Sequence, residues 1–445
     1  MKYLLKPFLP IIAPLLLITG VFSNSAAAQD VLPLDEAIQI GLENNFGVEI
    51  ARNLLEQSDN NQSVGNAGFL PTISASASRN ESVEDSEFNA GGQSRSTDGA
   101  RSTSENAAIN AEWTVFDGLG MFNTYNKLGK LAELSDKELQ LSVENLIANI
   151  SLAYFNIVRV EQQLSVLENN ISVSEERIEI EETKVDLGSG SEYDLLQARS
   201  DLNADRAAFL RETSSLTDAK IVLNELLSRA PSADFGVTMG IPVNRSLLFD
   251  ELLQSVMADN IELSIARVEK NISSLEVKEI QSERYPEVSL SGGYNFNRTD
   301  NSGGFISFNE STGFSFGITA RVNLFDGFNT SRRIQNARIS EKNAQLNLEQ
   351  QQLAVESEFT SLYRTYQNAV SLVDLEEANF ENAEEVLDIA LERFRLGSIS
   401  SLEFREAQRT FLQAENRLIT AKYESKIAET ELLRLSGELG DVFVR

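Results

Sequence analysis

The chain has 445 residues and a formal charge of −29, with 67 acidic against 38 basic side chains and neither cysteine nor histidine. Those two absences remove histidine general bases, thiol nucleophiles, disulfides and Cys/His zinc sites, and no acidic motif stands out, so an enzyme, a metal or a cofactor is a poor expectation. The acidic balance also makes nucleic acid an improbable partner.

Met1, Lys2 and Lys6 lead an apolar run through Leu15, Leu16, Leu17, Ile18 and Val21 to Ala26-Ala27-Ala28. This is the order of a secretory signal over residues 1–28, cleaved after Ala28. Pro7, Pro10 and Pro14 interrupt the run, which is shorter than the ~20 residues of a spanning helix. Loss of Lys2 and Lys6 takes the charge to −31. No later stretch reaches ~18 consecutive apolar residues, so contact with a bilayer would have to be made by strands.

An amphipathic segment from Leu34 to Asn66 follows, and then Pro71 leads into alternation. Ile73, Ala75 and Ala77 oppose Thr72, Ser74 and Ser76, while Ile109, Ala111, Trp113 and Val115 oppose Asn110, Glu112 and Thr114. Each run predicts a strand of ~10 residues with one apolar face, as in outer-membrane barrels, although soluble hairpins alternate too. Arg79 to Asn106, rich in Ser, Asn, Gly and Glu, reads as a solvent loop between them. After Asp117-Gly118 comes a helix of ~70 residues, roughly 100 Å long, to Leu187. Its apolar seam Val143, Leu146, Ile150, Ala153, Ile157, Val160, Leu164, Leu167 and Ile171 steps by four and three, the heptad signature. Gly188 ends it, and a returning helix carries Leu195, Ala198, Leu202, Phe209, Leu216 and Leu223. That return is about half as long. Stacked end to end with the Leu34 to Asn66 segment, it would match the long helix.

The chain then repeats itself. Phe69-Leu70-Pro71 falls on Arg284-Tyr285-Pro286 at an offset of 215, and Phe116-Asp117-Gly118 on Phe325-Asp326-Gly327 at 209. Leu187-Gly188-Ser189 falls on Leu396-Gly397-Ser398, also at 209. Ordered matches with one six-residue change indicate duplication. The reading is an α+β membrane protein of residues 29–228 and 248–437, joined by a Pro/Gly-rich linker at 229–247 and ending in a tail at 438–445. Strands predicted around 285–325 repeat the first hairpin, with Val288, Leu290, Tyr294 and Phe296, then Phe314, Phe316, Ile318 and Ala320, on the apolar face. Four strands cannot close a barrel, and open edges in lipid leave backbone groups unpaired, so self-association follows: eight strands from two chains or twelve from three.

These features in duplicate, with Leu34-Asp35-Glu36-Ala37 matching Phe249-Asp250-Glu251-Leu252, resemble the TolC family of outer-membrane ducts over nearly all of residues 31 to 437. The resemblance implies a homotrimer set in outer-membrane lipid, whose twelve-stranded β-barrel continues as a twelve-helix coiled-coil tunnel in the periplasm. It implies a passive exit for solutes or unfolded polypeptide, served by a periplasmic adaptor (membrane fusion) protein and an inner-membrane pump of RND or ABC type. The barrel-to-helix junctions would be Pro71, Pro286, Asp117, Gly118, Asp326 and Gly327, and the adaptor contacts Leu187, Gly188, Leu396 and Gly397. Acidic residues six and nine positions after the second tip glycine, Glu403 and Glu406, would ring the gate with Asp194. Their alternative role is as helix-start acids favoured by the helix dipole. Ile399 stands where some members hold an arginine that ties the mouth shut against the aspartate matched by Asp194; if charge ties the mouth here Arg405 is a nearby substitute, and otherwise the lock differs. Glu175, Glu176, Glu179, Glu181 and Glu182 would widen an acidic vestibule or, as the plainer reading, form a solvated helix face. Taken alone, the heptads also suit a periplasmic coiled-coil spacer or adaptor.

Overall fold

The computed structural model describes residues 31–303 and 306–440; the signal segment and the end of the tail lie outside them. In chain order the elements are β1 (Val31–Leu32), α1 (Leu34–Asn44), α2 (Phe46–Asn61), β2 (Thr72–Ala90), β3 (Gln93–Asp117), α3 (Gly120–Asp186) and α4 (Glu192–Leu226). Then follow β4 (Gly236–Val237), α5 (Phe249–Asp259), α6 (Ile261–Ser282), β5 (Glu287–Asn301), β6 (Phe308–Arg321), α7 (Asn329–Arg395) and α8 (Ser401–Ser436).

The four long strands form one antiparallel sheet in the order β2-β3-β5-β6, with β2 and β6 at its free edges. They are longer than the alternation suggested: 19, 25, 15 and 14 residues. The segment read as a solvent loop is mostly strand, pairing from Arg79 with Glu105 up to Ala90 with Gln93. Its turn is at Gly91-Gly92, both at positive φ. Both faces of this stretch are polar, so it has no period to read, yet backbone pairing continues regardless of side chain.

Below the sheet the helices keep the strand order. In the half nearer the sheet α3 lies between α2 and α6, with α7 beyond α6; in the far half α3 lies between α4 and α8, with α7 beyond α8. The heptad seams are the core. Leu146, Ile150, Ile157 and Val160 of α3, and Val355, Phe359, Tyr366 and Val373 of α7, are buried. Each of the two 67-residue helices spans both halves.

The shorter helices meet end to end, but not as the unbroken Leu34 to Asn66 segment would have it. The chain breaks at Asn45, whose backbone is extended and whose carboxamide oxygen accepts from Gly47 N and Val48 N. Its Nδ2 donates to the carbonyl of Leu226 at the end of α4, 2.9 Å away. Asn260 does the same in the second copy: its oxygen caps Leu263 N at 3.0 Å and its Nδ2 reaches Leu435 O at 3.0 Å. One asparagine thus satisfies an orphan N–H of one helix and an orphan carbonyl of another. So α2 stacks on α4, and α1 turns aside to bury Ala37 and Ile38 in the α3 cluster.

The linker joins α1 in a belt around the middle. β1 and β4 pair in parallel. The Tyr154 hydroxyl donates to Leu32 O at 2.9 Å and accepts from Thr238 N at 2.8 Å. In the second copy Tyr363 and Tyr366 donate to Leu247 O and Asn244 O.

Candidate functional site: the hairpin tips

Both hairpins turn by the same device. Gly188 has φ 73° and Gly397 φ 71°, the left-handed conformation that closes a helix most readily as glycine. Gly188 N donates to Val185 O and Ser189 N to Lys184 O; Gly397 N donates to Phe394 O and Ser398 N to Arg393 O. The turn pushes Leu187 and Leu396 outward, 77% and 78% exposed. Leu402 and Tyr193 are similarly bare.

The acids expected at the mouth stand at the starts of α4 and α8. Glu403 closes a capping box: Ser400 Oγ accepts from Glu403 N, and the Glu403 carboxylate accepts from Ser400 N and Ser400 Oγ, each at 2.8 Å. The Ser400 backbone N–H, then its hydroxyl, hold the Glu403 carboxyl below the usual range. Glu406 is exposed, with Arg409 3.6 Å away. Asp194 lies in the first turn of α4.

Arg405 pairs with carboxylates of α4 further from the tip than Asp194. Its guanidinium donates to both oxygens of Asp205 on α4, at 2.9 and 2.8 Å. Ser174 Oγ of α3 donates to the same carboxylate at 2.7 Å. Arg177 of α3, 2% exposed, donates to Asp201 on α4 and to Ser401 on α8. Gln408 Nε2 donates to Asn170 Oδ1 and Ser174 Oγ. This polar chain ties the α3/α4 hairpin to the start of α8. Beside it lies an apolar tie. Phe394 and Phe404 stack with centroids 4.8 Å apart, and Val173, Ile180 and Ile399 pack on them. Ile399 is half-buried in this cluster.

Of the five glutamates at the end of α3, Glu175 pairs with Arg206, Glu176 with Arg395, Glu181 with Lys184 and Glu182 with Arg199. Sequence reading missed Ser174, Arg177, Asp201, Asp205 and Gln408. Their signal was present, because Ser174 and Asp205 occupy heptad positions that an unbroken seam would give to apolar residues.

At the other end of the wall the Phe-Asp-Gly pairs start the long helices. Asp117 Oδ2 accepts from Met121 N at 2.6 Å, and Asp326 Oδ2 accepts from Thr330 N at 2.7 Å and from Thr330 Oγ1 at 2.6 Å. A side chain at Gly118 would meet Ser282 O at 2.4 Å, so the turn there demands glycine. Pro71 and Pro286 immediately precede β2 and β5.

The family model described as Outer membrane efflux protein matches residues 37–229 and 252–438. The chain belongs to that family. It is similar to the outer membrane protein TolC of Vibrio cholerae, 20% identical over 315 residues that cover 70% of this chain and 72% of the relative. It is similar to protein CyaE of Bordetella pertussis, 22% identical over 419 residues, 92% and 85% of the two chains. Among solved structures the outer-membrane channel OprN superposes with a TM-score of 0.75 at 20% identity, covering 91% of this chain and 90% of that one. VceC of Vibrio cholerae gives 0.73 at 17%, covering 91% and 96%. This efflux protein accordingly resides in the outer membrane with its helices in the periplasm, and its family consists of channels rather than enzymes. Membership leaves no place for the soluble spacer.

Proposed function

We propose that the chain is the passive exit duct of a tripartite efflux pump or a type I secretion system, working as a homotrimer with a periplasmic adaptor and an RND- or ABC-type pump. The observation that carries this is the shared order of strands and helices. A sheet with two free edges continues into a wall with two free edges, α7 on one side and α2 with α4 on the other. Three such segments close both layers together, which leaves no backbone unpaired in lipid. The sequence has no Gly-x-x-x-x-Gly-Lys-Ser/Thr loop, so energy comes from the partner pump.

In this reading the bare Leu187 and Leu396 beside Gly188 and Gly397 receive the adaptor, and Glu403, Glu406 and Asp194 form the acidic gate. Helix-capping by Glu403 is compatible with the gate role, since the bonds from Ser400 favour its charged form. Planar-bilayer recording tests the gate. The wild type is expected to be cation-selective and blocked by multivalent cations, and Glu403→Ala with Glu406→Ala to weaken both properties. Unchanged selectivity and block would refute the collar.

A further inference from the structure

The chain contains, inside one protomer, a copy of the contact it must make with the next. β3 and β5 belong to different repeats, and their pairing is the junction between one hairpin and the following one. In a closed ring the remaining junction is β6 of one copy against β2 of the next. Residues of β3 map onto β6 at an offset of 209, and residues of β5 map back onto β2 at 215. Carrying the observed pairs across by those offsets specifies the register. Glu112 opposite Ser291 becomes Arg321 opposite Ser76, Asn106 opposite Asn297 becomes Ser315 opposite Ser82, and Ser102 opposite Asn301 becomes Ser311 opposite Ser86.

We propose that β6 pairs antiparallel with β2 of a second copy in this register, a proposal that rests on the ring-closing duct described above. Three features of the chain are consistent with it. The first is facing. Ile73, Ala111, Gly292 and Phe316 form one hydrogen-bonded row and so share the apolar face of the sheet. The transferred register sets Phe314 opposite Val83 and Ala320 opposite Ala77 on that face, with the ion-paired Glu81 and Arg79 opposite Phe316 and Ile318 between them, and Ser315 opposite Ser82 and Thr319 opposite Ser78 on the other. A slip of one residue would reverse every side chain.

The second is length. In this register all of β6, Phe308 to Arg321, lies opposite Asn89 to Ser76, inside the limits of β2. The level alternative, which sets Glu310 opposite Arg79 to continue the row Arg79, Glu105, Arg298, Glu310, would run β6 off β2 onto Pro71 and Gly68. Proline has no N–H to give. The upper part of β2, whose sequence offers no apolar face, thereby acquires a purpose: it is the edge that the next copy's β6 needs.

The third is inclination. A row leaving Thr72 passes through Glu112, Ser291 and Gly317 and reaches Asn80 of the next copy, eight residues further along β2. Eight residues are roughly 26 Å of strand, against roughly 19 Å across four strand spacings, so the strands incline steeply to the barrel axis. At that inclination a strand needs roughly 13 residues to cross a ~25 Å apolar band. β5 has 15 and β6 has 14.

The absence of native cysteine makes the test clean. Full-length double variants are oxidised in outer-membrane fractions, resolved on denaturing gels without reductant, and weighed in detergent by native mass spectrometry. Ser82→Cys with Ser315→Cys, and Ala77→Cys with Ala320→Cys, are expected to shift the protomer to covalent two- and three-chain bands that reductant collapses. Ser74→Cys with Ser315→Cys, the level register, is expected to stay at protomer mass. Cross-linking of the level pair, or of neither staggered pair in a protein that native mass shows to be trimeric, would overturn the register while leaving the duct intact. A protomer mass in detergent for the wild type would remove the duct and the register together.

Discussion

Arg405 and Asp205 form the most direct test of what holds the tips together. Their side chains are 15% and 8% exposed, and Arg405 also lies 3.9 Å from Asp201 on the same helix as Asp205. Removing one partner strands a buried charge, which costs about 3–5 kcal/mol where burial is this deep. Arg405→Ala is therefore expected to loosen the start of α8 from the first hairpin and raise single-channel conductance in planar bilayers; an unaltered conductance would show that the apolar Phe394–Phe404 tie suffices. Glu144 on α3 poses the opposite case. It is 8% exposed, and burial pushes its carboxyl up to about 7, with the charge of Arg434 pulling weakly back. The folded chain thus keeps a proton that the unfolded chain has released, so stability falls as pH rises from the ordinary carboxylate range to about 7 and stays low above it. Glu144→Gln is expected to stabilise the protein on the order of 2–3 kcal/mol at pH ~8 and to flatten that slope, read as thermal unfolding at several pH values. A variant that keeps the wild-type slope would place the titration elsewhere.

Among the elements, the end-to-end helix joints depend on two asparagines that no periodicity announces. Asn260 is 3% exposed and serves one orphan donor and one orphan acceptor at once. Asn260→Ala should cost about 2–4 kcal/mol, the cap and the carbonyl bond together, whereas Asn260→Ser keeps a capping oxygen without the amide donor and should lose about half. Denaturant unfolding of the two variants would rank them, and equal losses would mean that the cap contributes nothing. The joint also shows where sequence reading stops. The seams of α3 and α7 and the tip glycines were legible because packing imposes a period and a left-handed turn imposes a residue. The break at Asn45 was not, since an amphipathic pattern runs through it with no proline to interrupt it, and the nearby glycines, Gly41 and Gly47, lie inside the two helices rather than at the break. The upper halves of β2 and β3 were hidden because polar residues face solvent on both sides. The tip network joins residues some 200 positions apart, as Arg405 and Asp205 do, and only the fold brings them together.

For the whole molecule, the duplication predicts how one wall segment meets the next. Within the protomer α3 is covered on both flanks, by α2 and α4 on one and by α6 and α8 on the other, while α7, its counterpart, is covered on one flank only. The bare flank of α7 carries Ile339, Leu346 and Leu353 at seven-residue spacing, 58%, 50% and 66% exposed. A heptad stripe left in water is an unpaired seam. On the far side of the protomer α2 shows a matching stripe, Phe46, Ile50 and Leu54, which is equally bare. By the symmetry of the repeat, α2 of the next copy should lie on α7 as α6 lies on α3, burying both stripes. Fully burying a leucine is worth about 1.5–3 kcal/mol, and a trimer buries each position three times. Leu353→Glu would instead force three carboxylates into that seam, beyond what the remaining contacts offset. The expected result is loss of the trimer in detergent by native mass spectrometry, with the protomer's helix content by circular dichroism retained because Leu353 contributes nothing to the core of its own chain. Leu353→Met, similar in volume and apolar, should leave the trimer whole. A Leu353→Glu protein that still weighs three chains would show that α7 meets its neighbour on some other face.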